Sequence, residues 1–108
     1  MLVNLCVHHS DHEGLICLEK RGEEIPFMPR QGDSFAQGLW VGQVIRVRYR
    51  LDSSTVHVAF DKLSPCEDQR DREIRSLLLS DWTVDSVDGP HYQALIQTIQ
   101  EIICNDQG

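Results

Sequence analysis

The feature that most restricts this chain is the stretch 45–60. Apolar residues take every second position at Ile45, Val47, Tyr49 and Leu51, and again at Val56, Val58 and Phe60. Between the two runs lies the polar segment Asp52-Ser53-Ser54-Thr55. A period of two marks strands with one buried face, and the polar segment is a turn, so the spacing predicts an antiparallel hairpin. With a four-residue loop, Leu51 pairs with Val56, Arg50 with His57, Arg48 with Ala59 and Arg46 with Asp61. Every apolar side chain then faces a core. Arg46, Arg48 and Arg50, with His57 across from them, make a basic strip on the other face.

A hairpin needs more layers to bury its apolar face, and the rest of the chain supplies them. Met1, Val3, Leu5 and Val7 alternate with Asn4 and His8, which predicts a strand. A polar turn follows, and Leu15-Ile16-Cys17-Leu18 is a second apolar run. Strands over 2–8 and 14–19, joined about Ser10–Glu13, set Cys6 opposite Cys17. Residues 20–38, punctuated by Gly22, Pro26, Pro29, Gly32 and Gly38, read as loop with short extended pieces. The turn at Pro29, Gly32 and Asp33, leading into the alternating hairpin, is similar in pattern to small barrel-type domains of bacterial and phage genomes. That similarity implies no activity.

Beyond the hairpin the period changes to that of helices. Ser64-Pro65-Cys66-Glu67 reads as a capping box with proline at the first helical position, opening a helix to about Leu79. Ile74, Leu77 and Leu78 form its stripe, with Arg70, Arg72 and Arg75 outside it. Residues 81–87 are a linker or short edge strand in which Trp82 and Val84 share a face. Gly89-Pro90 begins a second helix with a stripe of Tyr92, Leu95, Ile96, Ile99, Ile102 and Ile103. The expected fold is α+β: a small, mostly antiparallel sheet, open or curled into a barrel, with two C-terminal helices on it. The chain of 108 residues is expected to be one domain, β-rich over 1–61 and helical over 62–108.

Charge narrows the function. The net charge is −7 and the pI about 5.0, so general affinity for nucleic acid, which runs on clustered Lys and Arg, is not expected. No apolar run reaches the ~20 residues of a membrane helix, and no membrane partner is expected. The first residues lack the basic and apolar regions of a signal peptide, so a cytoplasmic location with reduced thiols at Cys6, Cys17, Cys66 and Cys104 is expected. Length excludes the large enzyme folds, and no Gly-x-Ser-x-Gly elbow or glycine-rich phosphate loop occurs.

Three groups of residues carry chemistry. His8-His9-Ser10-Asp11-His12-Glu13 resembles a truncated His-x-His-x-Asp-His motif of metallo-β-lactamase-like hydrolases, with Val7 where the first histidine would stand. That resemblance implies Zn²⁺ or another divalent ion held by a subset of His8, His9, Asp11 and His12; the plain alternative is a solvated turn. Arg46, Arg48, Arg50 and His57 can bind a carboxylate, a phosphate or an acidic partner, or can be the solvent face of the hairpin with Arg46 paired to Asp61. Trp40 either caps the core or anchors an interface. Finally, residues 62–108 hold nine acids and four bases, with Asp81, Asp85 and Asp88 between the helices.

The expectation from these features is a non-catalytic binding domain without a cofactor, acting through a protein partner or by homo-oligomerisation, its basic strip against the acidic segment of its mate. A divalent-metal hydrolase at residues 8–13 is the enzymatic alternative. An acidic inhibitor of a nucleic-acid-binding protein is the third reading.

Overall fold

The computed structural model describes residues 2–107, and side chains as far as Asn105. Met1 of the expected first strand lies outside them. Along the chain run β1 (Leu2–Asp11), β2 (Gly14–Glu24), β3 (Ser34–Gln37), β4 (Trp40–Arg50), β5 (Thr55–Phe60), α1 (Glu67–Leu79), β6 (Thr83–Asp88) and α2 (Pro90–Gln107). All six strands form one sheet in the order β3-β4-β5-β1-β2-β6. β1 runs parallel to β5 and every other neighbouring pair is antiparallel. The α+β architecture therefore holds, while the sheet is mixed and open rather than a barrel: β3 and β6 are free edges.

Alternation along β1 and β5 builds the core. Val3, Leu5 and Val7 join Val56, Val58, Phe60, Ile16 and Leu18 on one face. Ile74, Leu77 and Leu78 of α1 and Tyr92, Ile96 and Ile99 of α2 pack against that same face, so among the described residues no helix covers the opposite face. Trp40, 2% exposed, meets Phe60 edge-on at 4.9 Å and Trp82 at 5.4 Å, which makes it a core residue. Trp82 Nε1 donates to Gln37 Oε1 across 2.7 Å, the polar outlet a buried indole needs.

The 45–60 hairpin forms, but its register differs from the expected one. The loop is 51–54, so Arg50 pairs with Thr55, Arg48 with His57 and Arg46 with Ala59. A two-residue shift preserves faces, and the basic strip survives. A bulge between Val44 and Arg46 does not preserve them. Before it Trp40, Gly42 and Val44 point inward; Ile45 leaves the core and is 51% exposed. After it Val47 and Tyr49 return to the helix side close to the turn, where Tyr49 is 55% exposed, and Leu51 stands in the turn at 93%. Asp61 receives the Gln43 N–H rather than pairing with Arg46.

Other local readings also shift. β2 runs on to Glu24, and Ser34–Gln37, one of the short extended pieces expected within 20–38, pairs with β4. Residues 83–88 form the edge strand against β2. α1 starts at Glu67, with Cys66 in the N-cap position making no side-chain cap bond. The capping box is absent because Ser64 is engaged elsewhere. Its N–H donates to the buried Glu73 carboxylate at 2.8 Å and its hydroxyl accepts the Cys66 N–H at 3.2 Å.

Candidate functional site

Two polar assemblies stand out, one at the end of the sheet and one on its uncovered face. The first is centred on Asp11, the last residue of β1. Its Oδ2 accepts from Tyr92 Oη at 2.5 Å, from His9 Nε2 at 2.8 Å and from Arg70 Nη1 at 3.1 Å. Its Oδ1 accepts the Glu13 N–H at 2.9 Å, closing the β1–β2 turn. Burial alone would raise this carboxyl, but the bonds from Tyr92, His9 and Glu13 N–H and the Arg70 guanidinium hold it well below the usual carboxylate range. Burial, then the Asp11 carboxylate, pushes the Tyr92 phenol above its ordinary value. Arg70, 2% exposed, uses Nη2 on Glu13 Oε2 at 2.9 Å and stands over the Tyr92 ring.

This geometry is that of a clamp. Asp11 has its acceptor positions filled by groups from β1, the turn, α1 and α2. His9 presents Nε2–H to Asp11, leaving Nδ1 buried and without a partner among the described residues; Arg70 Nε is in the same condition. A cleft of about 400 Å³ lies alongside, bordered by His12, Lys62 and Pro65.

The residues expected to gather at a metal part company here. His9 and Asp11 meet, His8 lies exposed on the opposite face, and His12 is exposed in the turn, 3.9 Å from Glu13. A different trio, Glu13, Glu67 and His91, brings one ligating atom each to within 4.8 Å of the others. There the Asp71 carboxylate, accepting from His91 Nε2 at 3.2 Å, raises the His91 pKa, with Glu13 and Glu67 adding to the effect.

The second assembly is the uncovered face. β4 contributes Arg46, Arg48 and Arg50, and β5 contributes His57 and Ala59, which with Cys6 of β1 line a shallow depression of about 180 Å³. Arg50 pairs with Asp52 of its own turn at 3.1 Å; among the described residues Arg46 and Arg48 have no carboxylate partner. Farther across the same face stand Cys17, Glu19, Ser86 and Asp88, placed there by their pairing with His8, Cys6, Cys17 and Leu15. Asp85 adjoins Cys17, and neither Asp85 nor Asp88 has a cationic partner among the described residues. Exposed Val41 and Ile45 add apolar area beside the arginines. One face thus carries unpaired guanidinium groups toward one edge and unpaired carboxylates toward the other.

The sequence pointed to Arg46, Arg48, Arg50 and His57 as a group, and the structure gathers all four. It missed Arg70 and Tyr92 as partners of Asp11. The signal was present: Arg70 stands four residues before Ile74 and seven before Leu77, on the apolar stripe rather than beside it. No protein-family model, curated protein or solved structure matches this chain.

Proposed function

We propose that this protein is a non-catalytic interaction domain that self-associates through the uncovered face of its sheet. The observation that carries the reading is the charge layout of that face, with Arg46 and Arg48 on one side and Asp85 and Asp88 on the other, none of them paired among the described residues. A two-fold axis along the strands, between two facing sheets, lays the β4 side of one copy over the β2–β6 side of its mate. Arg46, which stands close to the level of Asp85 in the strand register, then meets that aspartate of the mate twice, as an isologous interface requires. The molecule measures 37 × 35 × 25 Å, so its broad face can supply the roughly 800 Å² per partner of a standard interface. Val41 and Ile45 would lose water contact in that interface, and the charges would fix its register. Among the described residues no helix is long and apolar enough to cross a membrane, and the reading involves no membrane.

Complementary charge reversal tests it. Arg46→Glu/Arg48→Glu and Asp85→Lys/Asp88→Lys are each expected to give a monomer by light scattering. Their equimolar mixture is expected to recover the dimer mass, because each reversed side of the face then meets a side of opposite charge. A wild-type chain that stays monomeric at every concentration, or reversed variants that remain dimeric, would overturn the proposal.

A further inference from the structure

The uncovered face also holds two thiols in near contact. Cys6 Sγ lies 3.6 Å from Cys17 Sγ, on the diagonal between the Cys6–Glu19 and His8–Cys17 pairs, and both cysteines are free. A disulfide needs about 2.05 Å, so the sulfurs must approach by roughly 1.5 Å for the bond to close. Their surroundings differ. Cys6 is partly exposed and opens into the depression lined by Arg46, Arg48, Arg50 and His57. Cys17 is 7% exposed, and burial, then its contact with Cys6, pushes its thiol up to about 12. Guanidinium groups without partners recognise carboxylates. The face therefore combines an accessible sulfur, a cationic approach to it and a second sulfur behind it.

We propose that Cys6 and Cys17 are a redox-active dithiol that reduces small disulfides bearing carboxylates. The Cys6 thiolate attacks one sulfur of the small disulfide, whose S–S bond breaks and releases the first thiolate. The mixed disulfide on Cys6 is then attacked by Cys17, which gives up its proton to the departing second thiolate as the Cys6–Cys17 bond forms. The protein loses two electrons and two protons, and the small disulfide gains both as two thiols. This chemistry belongs to the free monomer and does not rest on self-association; dilute protein lets the two proposals fail separately.

The test uses the full chain carrying Cys66→Ser and Cys104→Ser, which removes the two thiols outside this pair. Oxidised glutathione is the anionic probe and cystamine its cationic counterpart, with products followed by intact mass. The expected product is loss of two hydrogen masses without a lasting adduct. Cys17→Ser should accumulate one glutathione adduct on Cys6, and Cys6→Ser should not react. Cys17→Ala is the second variant if a buried hydroxyl unsettles the fold. At low salt Arg46→Glu/Arg48→Glu should slow the glutathione reaction ~10-fold or more and speed the cystamine one, since a field of this kind steers charged reactants. A Cys6→Ser protein that still reacts, an adduct that persists with Cys17 present, or equal rates for both probes in all charge variants would overturn the proposal.

Discussion

The Tyr92 hydroxyl donates to the Asp11 carboxylate across 2.5 Å, joining the first turn of α2 to the tip of the β1–β2 hairpin. The same oxygen receives Arg70 from α1. One carboxylate therefore holds both helices to the hairpin, and each partner that is removed leaves the others buried with less compensation.

Tyr92→Phe keeps the ring and its packing but removes the donor. The expected loss is about 1–3 kcal/mol in urea unfolding, the range for a hydrogen bond to a charged group. Asp11→Asn should cost about 1–3 kcal/mol, because Tyr92, His9 and Arg70 Nη1 lose a charged acceptor while Arg70 Nη2 keeps Glu13. The double variant should cost less than the two single losses together, since both act on one network.

Acid should weaken the clamp. The Asp11 carboxyl titrates lower in the folded protein than in the unfolded one, so its contribution is complete above the unfolded value near 3.9 and is lost as pH falls toward the folded value. The stability gap between wild type and Asp11→Asn should therefore narrow below about pH 5. Glu73 acts in the opposite sense. Burial raises its carboxyl, so the folded state takes up that proton first and the cost of keeping it charged disappears in acid. Glu73→Gln should show a steeper acid loss than wild type, which denaturant midpoints across the acid range will measure.

His91 reports at higher pH. Its pKa is raised in the folded state, so its contribution is fully present below the unfolded value of about 6.5 and lost as pH rises through the folded one. Wild type should exceed His91→Gln in melting temperature at about pH 5 and converge with it near pH 9. The gap should stay under ~1 kcal/mol, as expected for an ion pair open to solvent.

Gly42 is predicted to tolerate no side chain. A Cβ there would stand 2.2 Å from Cζ2 of the buried Trp40 ring, which is wedged against Phe60 and Trp82. Gly42→Ala should cost about 1–3 kcal/mol or more by overpacking. Gly22→Ala meets nothing within 4 Å but has φ +68°, so only the roughly 1 kcal/mol of a left-handed backbone is expected. Thermal melts of the two variants will separate the clash from the backbone cost.

What the sequence revealed follows the range of the interactions involved. The stripe from Tyr92 to Ile99, the alternation of Val3, Leu5 and Val7, and the 45–60 hairpin were legible because each is fixed by neighbours a few positions apart. The bulge at Ile45 was not, because Val44 is drawn inward by Phe60 while Arg46 must stay outside, a choice made across strands. The parallel pairing of β1 with β5 was equally hidden: periodicity shows which face is buried, not which strand lies alongside. The Asp11 clamp was half visible. His9, Asp11 and Glu13 drew notice as a polar cluster, but their partners Arg70 and Tyr92 lie far along the chain and sit on stripes read as apolar.

The position of β1 has a consequence for synthesis. It lies inside the sheet with β2, its hairpin mate, on one side and β5 on the other, and Val3 pairs with Val56. As the chain leaves the ribosome, the β1–β2 hairpin is complete while both its flanks still lack neighbours, one awaiting β5 and the other β6. For that interval an apolar ribbon with two unsatisfied margins is exposed. The nascent hairpin, rather than the finished molecule, is then the species most exposed to strand exchange with other chains. Slower translation through residues 25–60 would lengthen that window.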